Sequence, residues 1–456
     1  MKVASSIFRA YDVRGVYGED LTLEVAEAIG KGFATFLGGG GRRVAVGRDV
    51  RLSGEVLQEA LMGGLTSAGC NVLDIGVVTS PVLYFTVINL RLDGGVMVTA
   101  SHNPPEWNGF KLCREGAILC GEGTGMEEVR SIVLEGRFKE GVKGVLEHYG
   151  NALKDYFNHV LRLVNIEKPL KVALDPGNGA STLTAPYLFK EAGCSIVAIN
   201  AEPNGRFPAH HPEPTEEALQ QLKEVVVKEE ADFGVGYDGD GDRAVFIDER
   251  GNILPGDVTL VLFAKYYLEK RGGGKVVYDV SCSTAVEEAI RASGGEPIVS
   301  RVGHAFMMNR VLSEKAVFGG EKSSHFYFAE LYGIDDGVFA SLKLAEILSR
   351  KGVRLSELAS TVSRYPSTSK NYECADSVKF KVVERLARKY MELGKKLIAL
   401  DGVKVLEPEG WFLVRASNTQ PLIKVTVESK SVEKLKELKE KVEKDLLEEI
   451  RRGATP

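Results

Sequence analysis

Three similar mixed-sheet α/β domains followed by a smaller C-terminal α+β domain, packed around a central cleft, form the fold class that this sequence predicts. Three observations predict it. The chain runs to 456 residues, longer than one core ordinarily fills and suited to about three or four domains. A short pattern recurs: RRVAVGRD from Arg42, LKVALDPG from Leu170 and GKVVYDVS from Gly274 each give a β-branched apolar run ending near Asp or Gly. The final stretch of the chain breaks that pattern.

Each copy of the repeat runs on into a helical pattern and then a second apolar run, the order expected of βαβ units on mixed or parallel sheets. In the first copy Val56, Leu57, Ala60, Leu61 and Leu65 share one helical face. In the third, Thr284 and Glu287 have the spacing of a capping box for the helix bearing Val286 and Ile290. Glycine at Gly69-Cys70, Gly193-Cys194 and Gly294-Gly295 suits left-handed closure of the three helices. The last stretch instead alternates as a strand over residues 421–427. It ends in a charged helix with one apolar stripe, Val432, Leu435, Leu438, Val442, Leu446 and Ile450. The Lys/Glu-rich outer face of that helix reads as solvated. Domains are expected at 1–147, 148–250, 251–365 and 366–456, with no low-complexity linker between them.

Composition narrows the class. Lys plus Arg number 58 against 63 Asp plus Glu, a mildly acidic balance that argues against nucleic acid or an anionic membrane as the main partner. The six cysteines, Cys70, Cys113, Cys120, Cys194, Cys282 and Cys374, show no CxxC pair and read as reduced. The first residues meet Arg9 before any long apolar region, unlike a signal peptide. No run reaches the ~18 apolar residues of a membrane span. A cytoplasmic protein is expected, and its oligomeric state is left open.

Four segments carry chemistry. TASHNPPEWNGFK, residues 99–111, follows an apolar strand, and Pro104-Pro105 cannot extend it. Ser101 is therefore expected at a strand end on a constrained turn; alone, it reads equally as a turn-capping serine. His102 is expected to point away from it, as sequence neighbours usually do, and to serve as a hydrogen-bonding support rather than a general base. YDGDGDR from Tyr237 places Asp238, Asp240 and Asp242 at alternate positions between two apolar runs. Three such carboxylates can converge on a hard cation, most naturally Mg²⁺, and Gly239 and Gly241 let the backbone curl. An EF-hand is the obvious rival, but its sixth position here is Arg243 rather than glycine.

GGEKSSH, residues 319–325, offers Glu321, Ser323 and Ser324 to sugar hydroxyls, or is a plain polar turn. An aspartate of Asp335-Asp336 is expected to cap the helix that follows. RASNTQP from Arg415 gathers a guanidinium, hydroxyls and an amide suited to a phosphate, or forms a simple turn before the next strand.

Together, in this order and spacing, the four segments resemble the α-D-phosphohexomutase superfamily over essentially the whole chain. AYDVRG at Ala10, GRDVRLSG at Gly47, YGIDDG at Tyr332 and the motifs above look like its bifunctional phosphomannomutase/phosphoglucomutase branch. The resemblance implies four domains and an intramolecular phosphotransferase that interconverts hexose 1- and 6-phosphates, of mannose or glucose, through a 1,6-bisphosphate. Ser101 then resembles the phosphorylated serine and a further metal ligand, with Asp238, Asp240 and Asp242 as the Mg²⁺ ligands. Arg415, Ser417, Asn418 and Thr419 resemble the grip on the non-reacting phosphate, and Glu321 with Ser323 the sugar-reading pair. His304 matches a position that differs among substrates. Tyr11, Arg14, Lys111, Arg243 and His325 resemble cleft groups, with Lys111 and His325 for proton transfer.

Two departures bear on the sugar rather than the reaction. The loop reads EKSSH where the bifunctional enzymes usually have EMSGH, and Ser281 replaces a lysine found in many of them. Phosphoglucosamine mutase is accordingly the same-reaction alternative. A metal-dependent phosphatase leaves the Arg415 segment unexplained and lacks a second cluster of metal ligands in the sequence. A dinucleotide-binding oxidoreductase fails because the glycines from Gly177 lack the GxGxxG spacing.

Overall fold

The computed structural model describes residues 3–417 and 421–454. The repeat seen in the sequence is a repeat of topology. The first sheet runs in the order β1 (Val13–Val16), β5 (Trp107–Arg114), β4 (Gly94–Val98), β2 (Arg43–Arg48), β3 (Asn71–Val77) and β6 (Leu146–His148). The second runs β10 (Ala244–Asp248), β9 (Phe233–Tyr237), β7 (Lys171–Asp175), β8 (Ser195–Ala198). The third runs β12 (Gly295–Ser300), β11 (Gly274–Asp279), β13 (Phe318–Gly320), β14 (Phe326–Phe328), β15 (Ile334–Asp335).

In each, a central strand (β2, β7 or β11) has a parallel neighbour on both sides. The later of these neighbours (β4, β9 or β13) then reverses into an antiparallel strand (β5, β10 or β14). The loops at these three reversals therefore occupy one equivalent place, beyond the carboxyl ends of the parallel strands, where open α/β sheets bind ligands. They are residues 99–106, 238–243 and 321–325: three of the four segments singled out by sequence.

The fourth sheet, β16 (Ser367–Glu373), β20 (Leu422–Ser429), β19 (Gly410–Ala416), β18 (Val403–Glu407) and β17 (Lys396–Ile398), is antiparallel throughout. It presents one face to the helices Lys379–Glu392 and Val432–Ala454, with Phe412, Val425, Val442 and Leu446 buried between. Its other face meets the third domain through Val280, Trp411 and Leu413. There the Trp411 indole N–H donates to Glu428 at 2.9 Å and Thr284 at 3.1 Å, and Lys404 Nζ donates to the Val280 carbonyl at 2.9 Å.

One apolar core runs continuously through the first three domains, from Tyr84 and Phe85 through Tyr156 to Phe263 and Phe339. Lys343, fully buried in it, donates to the Leu163 carbonyl and pairs with Glu330 and Glu346. A lone buried charge would be costly, and this one is satisfied on every side. The second face of the first sheet carries a separate core against the helices Leu23–Phe36, Gly54–Ser67 and Met126–Glu135.

Several local expectations hold and some shift. Gly69, Gly193 and Gly294 have φ of +95°, +87° and +75°, the left-handed closures anticipated. Asp336 caps the helix Gly337–Lys351 by accepting from the Phe339 N–H at 2.8 Å. The capping box does not form. The helix begins at Thr284 with Ser283 as its cap, so Glu287 falls one position beyond reach of the cap and bonds Tyr278 and Arg291 instead. Val56 lies on the exposed side of its helix, and Gln58 takes the inward place because its amide donates to the Val46 carbonyl and to Asp74. Val432, at the start of the last helix, is likewise exposed. All six cysteines are free and buried. Among the described residues no helix is long and apolar enough to cross a membrane.

Candidate active site

Ser101 follows β4 with φ +49°, a left-handed conformation that costs a non-glycine residue about 1–3 kcal/mol and must be held by its surroundings. The holding groups come from the loop after β2. Asp49 accepts from Thr99 Oγ1 at 2.6 Å, and Thr99 Oγ1 in turn accepts from the Ser101 N–H at 2.8 Å. Arg51, with no exposed side-chain surface and paired with Asp49 at 3.1 Å, donates to the carbonyls of Ser101, Asn103, Pro104 and Trp107. The turn is thus pinned along its backbone, leaving the serine hydroxyl free to project. The same twist overturns one expectation: Ser101 Oγ and His102 Nδ1 lie 3.1 Å apart. Burial, then the nearby Arg243, keeps His102 well below the usual histidine range, so this imidazole is neutral.

The projected hydroxyl reaches the acidic loop. Ser101 Oγ donates to Asp238 Oδ2 at 2.9 Å, and Arg243 Nη2 donates to Ser101 Oγ at 3.4 Å while its Nε donates to Asp238 Oδ2 at 3.1 Å. Glycine is required where the two loops touch: a Cβ on Gly239 would stand 2.4 Å from the Ser101 carbonyl oxygen. Gly241 adopts φ +78°, which folds the loop back on itself. Ser80, at the start of the helix Ser80–Asn89, bonds Asp240 through both its hydroxyl and its N–H.

The carboxylates of Asp238, Asp240 and Asp242 offer oxygens all within 4.8 Å of one another. Lys111, on β5, bridges Asp240 and Asp242 at 2.6 Å each. Burial opposes the lysine's charge, but Asp240 and then Asp242 outweigh it and hold the ammonium well above its ordinary value. Asp238 shows the opposite balance: burial, then Asp242, lifts it to about 7. Asp240 Oδ1 and Asp242 Oδ1 are buried without a hydrogen-bond partner. Two unpaired hard oxygens in a three-carboxylate cluster fit a divalent oxygen-seeking cation of the Mg²⁺ class.

The third loop closes over this cluster through a backbone bridge between Arg243 and His325. His325 Nδ1 lies 2.9 Å from Asp335 and 3.6 Å from Asp242. Against the pull of burial these carboxylates, Asp242 first, raise His325 to about 9. Glu321 accepts from the Tyr327 hydroxyl at 2.6 Å and the Gly303 N–H at 2.9 Å, and burial lifts it to about 7. His304 stacks near His325 and meets Tyr11 edge-on at 5.1 Å; both of its ring nitrogens are buried and unpartnered. Ser323, unlike its neighbours, is exposed.

Arg14 completes the wall beside Ser101: its Nε pairs with Asp12 at 2.6 Å and its Nη1 donates to Asn103 Oδ1 at 2.6 Å. Tyr11 lies in the field of Asp12, Arg14, Glu321 and Arg415, and burial raises its hydroxyl above the ordinary value. Arg415 is held by Asp401 at 3.0 Å. The Ser417 N–H donates to the Leu422 carbonyl at 2.9 Å, and Asn418 and Thr419 lie outside the described residues.

The structure therefore brings Ser101, Lys111, the three aspartates, Arg243 and His325 together, and sets Arg14, Tyr11, His304 and Glu321 beside them. Sequence reasoning missed Asp49, Arg51, Ser80 and Asp335. The first two sit in GRDVRLSG, where an acid and a base flank one valine, a signal that gave no hint of a partner far along the chain. A second group of possible ligands, Asp242, His304 and Asp335, also exists. The lack of a second metal cluster is thus no argument against a phosphatase; the phosphate-suited segment at Arg415 still is.

Comparison with known proteins covers the whole fold. Family models described as Phosphoglucomutase/phosphomannomutase match in four parts: alpha/beta/alpha domain I over residues 5–140, domain II over 154–251, domain III over 255–365 and the C-terminal domain over 370–445. The chain is 37% identical to a phosphoglucomutase/phosphomannomutase of Thermococcus kodakarensis, covering 98% of this chain and 99% of that one. It is 38% identical to a phosphomannomutase/phosphoglucomutase of Pseudomonas aeruginosa over 95% and 94%. A probable phosphoglucosamine mutase of Methanopyrus kandleri is 36% identical over 97% and 99%. Among solved structures, a Phosphoglucomutase/phosphomannomutase family protein from Burkholderia thailandensis superposes with a TM-score of 0.90 at 33% identity, covering 98% of both chains.

Proposed function

Since the chain belongs to the phosphoglucomutase/phosphomannomutase family, we propose that it interconverts hexose 1-phosphate and hexose 6-phosphate through a phosphoserine at Ser101. The observation that carries this reading is the Ser101 hydroxyl, held in a left-handed turn 2.9 Å from Asp238 with Arg243 beside it. A phosphoryl group on that oxygen would meet the cationic side chains of Arg243 and Lys111. Phosphoryl transfer needs chiefly such positioning and charge stabilisation.

A sugar monophosphate binds with its existing phosphate at Arg415, Ser417, Asn418 and Thr419. Its free hydroxyl oxygen forms a bond to phosphorus as the Ser101 Oγ–P bond breaks, and the hydroxyl proton passes to the protein. The bisphosphate then reverses end for end. Ser101 Oγ accepts the other phosphoryl group, and the sugar oxygen released takes a proton back. Lys111 and His325, both held protonated by the aspartates beside them, are the groups proposed to exchange that proton: the acceptor first gives its own proton to solvent, takes the hydroxyl's, and returns it to the sugar oxygen released. Hexose 1,6-bisphosphate is both the intermediate and the activator that phosphorylates an unmodified Ser101.

Asp238, Asp240, Asp242 and Ser101 would hold Mg²⁺, which when bound supplies further neutralisation of the phosphoryl charge. Arg14 and Tyr11 orient the substrate near Ser101, and Glu321, Ser323 and His304 read the sugar.

The substrates proposed are the phosphates of mannose and glucose. Glucosamine phosphate is the second reading: Lys322 and Ser324 depart from the sugar loop usual in the bifunctional enzymes, and relatives named probable phosphoglucosamine mutases are about as similar to the chain. Side-by-side assays on mannose 1-phosphate, glucose 1-phosphate and glucosamine 6-phosphate decide between them. The covalent scheme is tested by Ser101→Ala. Turnover near wild type without added bisphosphate overturns it, as does phosphate from glucose 1,6-bisphosphate appearing on a peptide lacking Ser101.

A further inference from the structure

Asp242, His304 and Asp335, the second group of ligand-bearing side chains, come from three separate elements. Asp242 lies in the loop between β9 and β10, Asp335 ends β15, and His304 opens the helix His304–Glu314. Each offers a ligand atom within 4.8 Å of the other two. His304 is 5% exposed and the two aspartates not at all, so the group is sealed from bulk water.

Each carboxylate is only half engaged. Asp242 Oδ2 accepts from Lys111 Nζ at 2.6 Å, and Asp335 Oδ2 lies 2.9 Å from His325 Nδ1. Their Oδ1 atoms, like both ring nitrogens of His304, are buried without a hydrogen-bond partner. A buried polar atom left unpaired costs about 1–3 kcal/mol, and four of them in one place point to a ligand that they share. The donors are also held in position. Lys111 and His325 anchor the carboxylates from behind, as the partners of metal ligands do. Tyr11 meets the His304 ring edge-on, His325 stacks on it at 6.2 Å, and the preceding Gly303 N–H donates to Glu321 at 2.9 Å. One imidazole with two carboxylates is a ligand set for zinc-class ions, with a fourth position left to water or substrate. Mg²⁺, which prefers oxygen ligands, is served instead by the three aspartates. The two sets have Asp242 in common.

We infer that Asp242, His304 and Asp335 form a separate, inhibitory site for a divalent cation of the Zn²⁺ class. An ion there takes His304 away from the sugar and draws Asp242 away from the Mg²⁺ ligands, so it competes with sugar phosphate. The competition rests on the proposed sugar-reading role of His304; the binding of the ion does not.

The test is equilibrium dialysis of the full chain with zinc chloride against a large excess of Mg²⁺, read as zinc bound per chain. His304→Gln and Asp335→Asn are dialysed beside the native protein, since neither residue belongs to the Mg²⁺ set. The native protein is expected to keep about one zinc, and each variant to bind it more than about a hundredfold more weakly. Zinc held equally well by both variants sits on the three aspartates alone and overturns the inference, as does a native protein that keeps none. X-ray absorption of the zinc-loaded native protein should show an imidazole ligand; all-oxygen ligation overturns the inference without recourse to a variant. Glucose 1-phosphate should expel the zinc, and zinc should raise its KM. Zinc that stays bound regardless of glucose 1-phosphate overturns the competition, and with it the sugar-reading role of His304, while the phosphoserine scheme stands or falls by Ser101→Ala.

Discussion

Arg51 Nη2 donates to the carbonyl oxygen of Ser101 at 2.8 Å, so a guanidinium from the loop after β2 holds the backbone of the proposed nucleophile. Lysine cannot span the four carbonyls that Arg51 serves. Arg51→Lys is therefore expected to lower kcat by on the order of a hundredfold, through misplacement of Ser101, with a smaller change in KM. It should also reduce stability by roughly 1–3 kcal/mol for each buried carbonyl left without a donor. Steady-state kinetics and denaturant unfolding check both; full activity would show that the turn holds itself.

Gly239 faces the same carbonyl from the opposite side. Since a Cβ there would stand 2.4 Å from the Ser101 oxygen, Gly239→Ala should push the two loops apart and cut Ser101 phosphorylation by about a hundredfold or more. Gly63→Ala, where an added Cβ meets nothing within 4 Å, is the comparison and should leave phosphorylation intact. Phosphate incorporation from glucose 1,6-bisphosphate, read by mass spectrometry, distinguishes them.

Chelation should abolish activity while leaving the fold in place. Lys111 already sits between Asp240 and Asp242, so the carboxylates keep a counter-charge after a metal departs. EDTA is expected to stop turnover with little change in melting temperature, and added Mg²⁺ to restore it better than Ca²⁺, whose larger coordination sphere suits the site less well. Asp240→Asn should lose this rescue.

Asp336 gives a pH test. Burial lifts its carboxyl to about 7, against an unfolded value near 3.9. The native state therefore binds a proton that the unfolded chain has released between about pH 4 and pH 7. Stability is fully present below that window and is lost as pH rises through it. Asparagine caps a helix about as well as aspartate, so Asp336→Asn should flatten the decline, a difference on the order of a few kcal/mol. Parallel urea titrations at pH 5 and pH 8 measure it; equal slopes with pH would refute the assignment.

What the sequence made legible were features written in a short span. The alternating aspartates, the Pro-bounded turn at Ser101 and the glycine closures each depend on a few neighbours, and all appear where expected. The partnership of Arg51 with Ser101 joins residues 50 positions apart in the chain, and no local pattern encodes it. His102 turns toward Ser101 rather than away from it because that distant clamp holds Ser101 at a left-handed φ, and at 3.1 Å it is placed as a hydrogen-bonding support. The capping box failed by one residue, the usual scale of error for helix ends. Val56 fits the apolar period, but Gln58 is drawn inward by hydrogen bonds to Val46 and Asp74, which belong to other elements.

The four loops at the site also impose an order in time. Ser101, Asp238 and His325 lie on the first three sheets, whereas Arg415 comes near the end of the chain, on a sheet joined to the third domain around Trp411. A ribosome-bound chain can thus complete the three repeats and carry the serine turn before any phosphate grip exists. On the proposed reading it could be charged with phosphate yet unable to hold a substrate for exchange, so turnover begins only once synthesis has reached the last sheet.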